Sequence, residues 1–153
     1  MKDAFGYSGT LLFRKLGIKA GHRVLTLWAP AHFARLLGEL PEGVRVVAKA
    51  KPRPAAGARV RRDDVVVVFV TSDEGLARRL PYAQRFLAWD GGLWVAWPKA
   101  GSALDSGVRE DHVRRRALEA GLVDNKVCAI DGDWSGLRLV YRKKDRPPFL
   151  ADR

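Results

Sequence analysis

The chain has 153 residues, a mass of 17.0 kDa and a formal charge of +11. Hydrophobic residues make up 47%, enough for one real core at this length, which excludes a disordered chain. A single cysteine, Cys128, excludes an internal disulfide framework, and its apolar run Val127-Cys128-Ala129-Ile130 marks it as a core residue.

The start, Met1-Lys2-Asp3-Ala4-Phe5-Gly6, has no apolar run long enough for a signal peptide. The longest purely apolar run, Val65 to Val70, is far short of the roughly 20 residues that span a bilayer. The expectation is a cytoplasmic protein with no membrane partner. Arg outnumbers Lys 19 to 9, a balance that GC-rich coding can produce alone. The positive field it creates nevertheless favours encounters with nucleic acid, nucleotides and anionic surfaces.

Gly6 to Thr10 reads as a turn, with Ser8 or Thr10 capping a short helix that carries Leu12 and Leu16 on one face. Gly17 suits the left-handed position after that helix, with Ile18 as its hydrophobic neighbour. Arg23 to Ala29 is a mostly apolar strand. Pro30 then opens a helix that includes Ala31 to Leu37 and ends at Gly38. A short valine-rich strand lies within Gly43 to Ala48.

Lys49 to Arg62 holds six basic residues, two prolines and no acid, with no helical period. It reads as a loop or extended crossover. Asp64 to Thr71 is the clearest strand: its apolar residues do not alternate with polar ones, so both faces should be covered, as in a parallel sheet. Thr71-Ser72-Asp73-Glu74 fits a capping box with Thr71 at the cap. The helix it opens runs to about Leu80, where Pro81 interrupts it, and a second short helix spans Tyr82 to Ala88. Asp90-Gly91-Gly92 reads as a turn before a buried strand, Leu93 to Trp97, stopped by Pro98.

A polar loop follows, Lys99 to Gly107, and then a helix over Val108 to Ala120 with Gly121 as its stop. Val127 to Ile130 is a short strand, Asp131-Gly132 a hairpin turn, and Leu137 to Tyr141 the return. The domain spans 1–142, and 143–153 is a basic, frayed tail.

Strands alternating with helices imply an α/β fold: a shortened Rossmann-like, methyltransferase-like, mostly parallel sheet, closed by a C-terminal antiparallel hairpin that adds one antiparallel edge strand. Ligands of such sheets bind at the carboxyl ends of the strands. Those ends carry Trp28-Ala29-Pro30, Thr71-Ser72-Asp73, Trp97-Pro98-Lys99 and Asp131.

The segments Gly6-Tyr7-Ser8-Gly9-Thr10, Lys15 to Ile18, Leu93 to Lys99, Gly121 to Asp131 and Trp134 to Leu137 together resemble an uncharacterised bacterial family of small proteins, known only as a domain of unknown function. The resemblance runs from about Gly6 to Arg142. It implies a single domain and brings no activity, cofactor or catalytic residue.

The loop after the first strand, Trp28-Ala29-Pro30-Ala31-His32-Phe33, has no glycine, and Pro30 has no N–H to offer. Nucleotide-type cofactors need bare backbone there and N–H groups aimed at phosphate or carboxylate. The acid expected about 20 residues on is also missing; Val47-Ala48-Lys49-Ala50 stands near there. No cofactor is therefore expected. No P-loop and no nucleophile elbow occur, and His22, His32 and His112 share no metal spacing with Cys128, so no metal is expected either. The acid pairs Asp63/Asp64, Asp73/Glu74 and Glu110/Asp111 sit at strand starts or helix N-termini, where solvation and the helix dipole account for them.

The candidate ligand-binding residues are Tyr7 and Ser8 near the start, Trp97 and Lys99 at a strand end, Asp124, Asn125 and Lys126 before the last hairpin, and Trp134 within it. Trp97 could stack on a planar ligand and Lys99 neutralise its charge, although Trp94 and Trp97, three apart in a strand, point to opposite faces and both suit a core. Asp124-Asn125-Lys126 reads equally as a turn. The candidate polyanion-binding residues are Lys49, Lys51, Arg53, Arg59, Arg61 and Arg62, with a second basic stretch at Arg138–Arg146. The first stretch carries no interleaved aromatics, so any nucleic-acid binding is expected to be sequence-tolerant. The resulting expectation is a non-catalytic Rossmann-like module that binds an anionic small molecule, nucleic acid or protein partner. The alternative is an S-adenosylmethionine-dependent methyltransferase-like enzyme with a degenerate cofactor loop.

Overall fold

A computed structural model describes residues 11–54 and 57–152. The capping roles of Ser8 and Thr10, and the candidate residues Tyr7 and Ser8, lie outside the described residues. Six strands form one sheet: β1 (Arg23–Leu27), β2 (Arg45–Lys49), β3 (Asp63–Phe69), β4 (Leu87–Pro98), β5 (Leu122–Ala129) and β6 (Trp134–Tyr141). Their spatial order is β2-β1-β3-β4-β6-β5. The first four are mutually parallel, and β6 runs antiparallel to both β4 and β5. The C-terminal hairpin is present, but its antiparallel strand β6 is inserted beside β4 and leaves β5 at the edge.

Helices cover both faces: α1 (Leu12–Lys15) and α2 (Phe33–Leu37) on one, α3 (Asp73–Gln84) and α4 (Glu110–Glu119) on the other. The valine run of β3 shows why. Val66, Val68 and Val70 pack with α3 and α4, while Val65, Val67 and Phe69 pack with α1 and α2. A strand with an apolar residue at every position has no solvent face, and each buried valine contributes about 1.5–2 kcal/mol. Trp94 and Trp97 divide between the same two clusters. The Trp94 indole N–H donates to the Leu16 carbonyl at 3.0 Å, anchoring α1 to the sheet. Gly17 follows α1 at φ +80°, and the Ile18 N–H returns to the Phe13 carbonyl at 2.9 Å, closing the helix as its sequence predicts.

Five local expectations are corrected. The cap of α3 is Ser72, whose hydroxyl accepts from the Gly75 N–H at 2.9 Å; Thr71 lies one residue too early. Pro81 sits inside α3 without ending it, and no second helix follows, because β4 already begins at Leu87. Asp90-Gly91-Gly92 is not a turn but part of β4. Asp63 pairs with Leu87 and Val65 with Gly92, so β4 carries a bulge against β3. Asp124-Asn125-Lys126 likewise lies within β5, at a register shift against β6. Of the acid pairs, Asp63 is buried rather than solvated, and Arg62 and Arg23 hold it.

The crossover between β2 and β3 contains no helix among its described residues. As a result β2 is exposed along its whole length, with Val46 and Val47 open to solvent. Beyond β6, Lys143–Asp145 and Pro148–Asp152 form short 3-10 turns, and Arg146 donates to the Tyr141 carbonyl.

Candidate functional site

Strand order fixes where a ligand crevice would open. The chain leaves β1 toward β2 and leaves β3 toward β4, so the order reverses between β1 and β3, and the crevice belongs at their carboxyl ends. Trp28, directly after β1, adopts φ +56°, a left-handed conformation rare for a bulky residue. That turn lays its ring across the top of the sheet, packed against both core clusters. The Tyr82 ring of α3 meets it edge-on with centroids 5.8 Å apart, and the Arg79 guanidinium lies 4.4 Å from its centroid. Arg79 also donates to the carbonyl of Phe69, the last residue of β3, at 2.7 Å. Burial, with Arg78 beside it, pushes the Arg79 pKa below the usual arginine value. The switch point is thus spanned by the protein's own side chains.

A second polar group lies at the same end of the sheet. His32, before α2, places Nε2 2.8 Å from Oδ2 of Asp131, which follows β5. The Asp131 carboxylate is only 4% exposed. Its other oxygen accepts the Asp133 and Trp134 backbone N–H groups, both at 2.8 Å, which builds the hairpin turn. Nearby, the Lys99 N–H donates to the Asp133 carbonyl at 2.7 Å. An imidazole oriented by a buried carboxylate is an arrangement that can position a proton.

The other sequence candidates scatter. Trp97 is 4% exposed, with its ring in the core on the α3/α4 side. Trp134 lies in the opposite cluster, edge-on to Phe69, and its buried indole N–H has no hydrogen-bond partner among the described residues. Asp124 pairs with Arg114, Asn125 accepts from Arg138, and Lys126 donates to the Lys15 carbonyl. Asp124 lies opposite Leu139 and Ala129 opposite Ser135, so the Asp124–Lys126 segment and Trp134 occupy opposite ends of the hairpin, about 17 Å apart. Cys128 is half-buried, and burial raises its thiol pKa against the pull of Lys15 and Lys126.

The basic crossover packs along the amino end of β3. Arg59 donates to the Tyr141 hydroxyl at 3.0 Å, Arg61 stacks 3.9 Å from the Trp89 centroid, and Arg62 holds Asp63. Lys49 lies 5.5 Å from the Phe86 centroid, while Lys51 and Arg53 are exposed. Two arginines of or next to α3, absent from the sequence candidates, join this set. Arg78 and Arg85 line, with Arg59, Pro81 and Tyr82, an open cleft of about 470 Å³ between α3 and the crossover. Their spacing of seven residues, two helical turns, puts them on one face and was the available signal.

Fold and site together define an α/β protein with the methyltransferase-like sheet, its switch point filled by aromatic and arginine side chains. The chain belongs to the family described as "Protein of unknown function (DUF3052)", which matches residues 58–143, more than half of its length. The Gly6–Thr10 and Lys15–Ile18 motifs fall outside that matched segment. No curated protein matches the chain at a significant level. Among solved structures, a SAM-dependent methyltransferase from Aquifex aeolicus is similar at 16% identity and TM-score 0.62, covering 84% of this chain and 86% of its own. A precorrin-6y C5,15-methyltransferase from Geobacter metallireducens is similar at 10% identity and TM-score 0.58, covering 90% and 94%. Aeropyrum pernix fibrillarin, in complex with natively bound S-adenosyl-L-methionine, is similar at 18% identity and TM-score 0.56, covering 80% and 67%. At these identities the likeness establishes the fold alone.

Proposed function

We propose that this chain is a non-catalytic member of the methyltransferase fold that binds an anionic ligand or partner through its basic surface. One observation carries the reading: Trp28, Arg79 and Tyr82 occupy the β1/β3 switch point. S-adenosylmethionine, the cofactor the fold implies, would need open backbone there. The residues present do not fit it: Trp28 fills the space, Pro30 offers no N–H, and the half-buried Arg79 guanidinium at the switch point would set a positive charge against a cationic sulfonium. With the cofactor role gone, the +11 charge is the dominant chemical property left.

Calorimetry and thermal shift test the reading directly. Millimolar S-adenosylmethionine should give neither heat nor stabilisation, whereas labelled polyanions should bind at low salt and release as salt rises. Cofactor binding, or silence toward every polyanion, would overturn it. A second reading, a methyltransferase-like enzyme with an altered pocket, is favoured by the sheet order and by the oriented His32–Asp131 pair. Stabilisation by S-adenosylmethionine that is lost in Trp28→Lys would support that reading instead.

A further inference from the structure

We infer that the basic surface takes its partner along the free edge of β2, and that the partner is an acidic protein segment in extended form, added to the sheet as a further strand. The inference rests on the proposed anion-binding role and gives it a place and a partner class. β2 is an outer strand, and all five of its residues are exposed. The Arg45 N–H donates to the His22 carbonyl at 3.0 Å, and the Lys49 carbonyl accepts from the Trp28 N–H at 2.9 Å. Backbone groups alternate sides along a strand, so the N–H and C=O of Val46 and Ala48 point away from β1. Among the described residues nothing pairs with them.

The two faces of β2 differ. On one, Val46, Ala48 and the buried Thr26 stand across a slot of about 210 Å³ from Phe33, Ala34 and Leu37 of α2. α2 is only five residues long, and it leaves Val46 40% exposed. The slot has room for a branched aliphatic side chain. On the other face stand Arg45, Val47 and Lys49, with Lys49 Nζ 5.5 Å from the Phe86 centroid. Lys51 and Arg53 follow, both exposed. None of these four cations has an ion pair among the described residues. A strand added here sets its alternate side chains on the two faces. Apolar residues enter the slot and acids meet the cations, so the segment that fits alternates acidic with apolar residues.

A second copy of the chain and a nucleic-acid strand fit less well. Antiparallel pairing of two β2 strands about Val47 would set Arg45 of each copy against Lys49 of the other, and like charges directly opposite destabilise a sheet. Nucleic-acid strands use aromatic faces as base platforms, and β2 carries no aromatic residue. The sheet's other outer strand, β5, is tied to α1: Lys126 donates to the Lys15 carbonyl, and Lys15 to the Ala129 carbonyl.

Fluorescence anisotropy at low salt tests this with a labelled peptide of alternating glutamate and valine, its lysine–valine counterpart and a labelled single-stranded oligonucleotide. The glutamate peptide should bind and the lysine peptide should not. Ala48→Pro removes an outward N–H that the protein's own sheet does not use, so it keeps the fold and should weaken binding about tenfold. Arg45→Glu should weaken it about fivefold, whereas Arg115→Glu, the same reversal on the exposed face of α4, should leave it within about twofold. Two further peptides leave the protein untouched, one N-methylated at its valines and one at its glutamates. Only one of the two sets faces β2, so one peptide should lose binding and the other keep it. Equal binding of both, or full binding to folded Ala48→Pro, would overturn strand addition. Binding of the oligonucleotide without the glutamate peptide would overturn the edge site and leave the broader anion-binding role standing. Silence toward both would strike the two readings together. A dimer in sedimentation that Ala48→Pro abolishes would give the edge to a second copy and overturn the peptide assignment.

Discussion

Arg79 and Trp28 form a closed stack at the top of the sheet: the guanidinium lies 4.4 Å from the indole centroid, and its N–H is tied to the last carbonyl of β3. The stack depends on Trp28 holding φ +56°. A left-handed conformation costs a residue with a Cβ about 1–2 kcal/mol, and glycine almost nothing. Trp28→Ala should therefore lose about 2 kcal/mol of packing and keep the strain. Trp28→Gly should be about 1 kcal/mol more stable than Trp28→Ala, the reverse of the usual order. Urea unfolding of the two variants checks the sign; alanine above glycine would mean that the turn is not strained.

Asp131 should act as a structural hub before it acts in any chemistry. Asp131→Ala removes the acceptor of two backbone N–H groups and of His32, and should cost about 2–4 kcal/mol. Asp131→Asn keeps a carbonyl for the two N–H groups and should cost about 1 kcal/mol, close to His32→Ala. A double-mutant cycle between His32→Ala and Asp131→Asn should show a coupling of about 1 kcal/mol. Additive effects would show that the pair contributes nothing to stability.

Much of this architecture is legible in the residues. The unbroken valines of β3 imply cover on both faces, and Gly17, Gly38 and Gly121, all at positive φ, mark three helix ends. Pro81 misleads because a proline's fixed φ already suits a helix and only the carbonyl four residues back loses its partner. That residue, Ala77, lines the open cleft, where water is at hand. Asp90-Gly91-Gly92 misleads because local turn chemistry outweighs, on paper, a bulge that only pairing with β3 creates. The site is harder still. His32 and Asp131 are 99 residues apart, and no local period links them. Trp28 blocks the switch point through a conformation that its residue type does not announce.

The loop before α4 carries the clearest pH signature. Asp105 accepts from Arg109 through both oxygens and from the Gly101 and Gly107 N–H groups, and these partners hold its carboxyl well below the usual carboxylate range. A depressed folded-state pKa gives stability that is present above the unfolded value, near 3.9, and is lost as the pH falls toward the folded one. The stability gap between the parent and Asp105→Asn should therefore be full at pH 7 and narrow steadily below about pH 4. Urea midpoints across that range check it; a gap that widens in acid would contradict the assignment.

Cys128 should be a poor nucleophile. Burial holds its thiol above the ordinary cysteine value, with Lys15 and Lys126 opposing the shift only in part. Since the thiolate is the reactive form, alkylation by iodoacetamide near pH 8 should be slower in the folded protein than in urea. Equal rates would place the thiol in open solvent.

Gly91 should be the least replaceable residue in the β4 bulge. A Cβ there would stand 2.7 Å from the Asp64 carbonyl oxygen and 3.1 Å from that of Asp63. Both atoms belong to the backbone of β3, a strand packed between the two core clusters, so neither can withdraw without disturbing the sheet. The third neighbour, Leu87 Cδ1 at 3.1 Å, could rotate away and does not decide the outcome. Gly91→Ala should therefore cost about 2 kcal/mol or more, the expense of shifting packed backbone. Gly132 gives the contrast: it lies in the hairpin turn, and nothing stands within 4 Å of its added Cβ. Gly132→Ala should fall within about 0.5 kcal/mol of the parent. Equal costs for the two in urea unfolding would show that the bulge does not bring β4 against the β3 carbonyls.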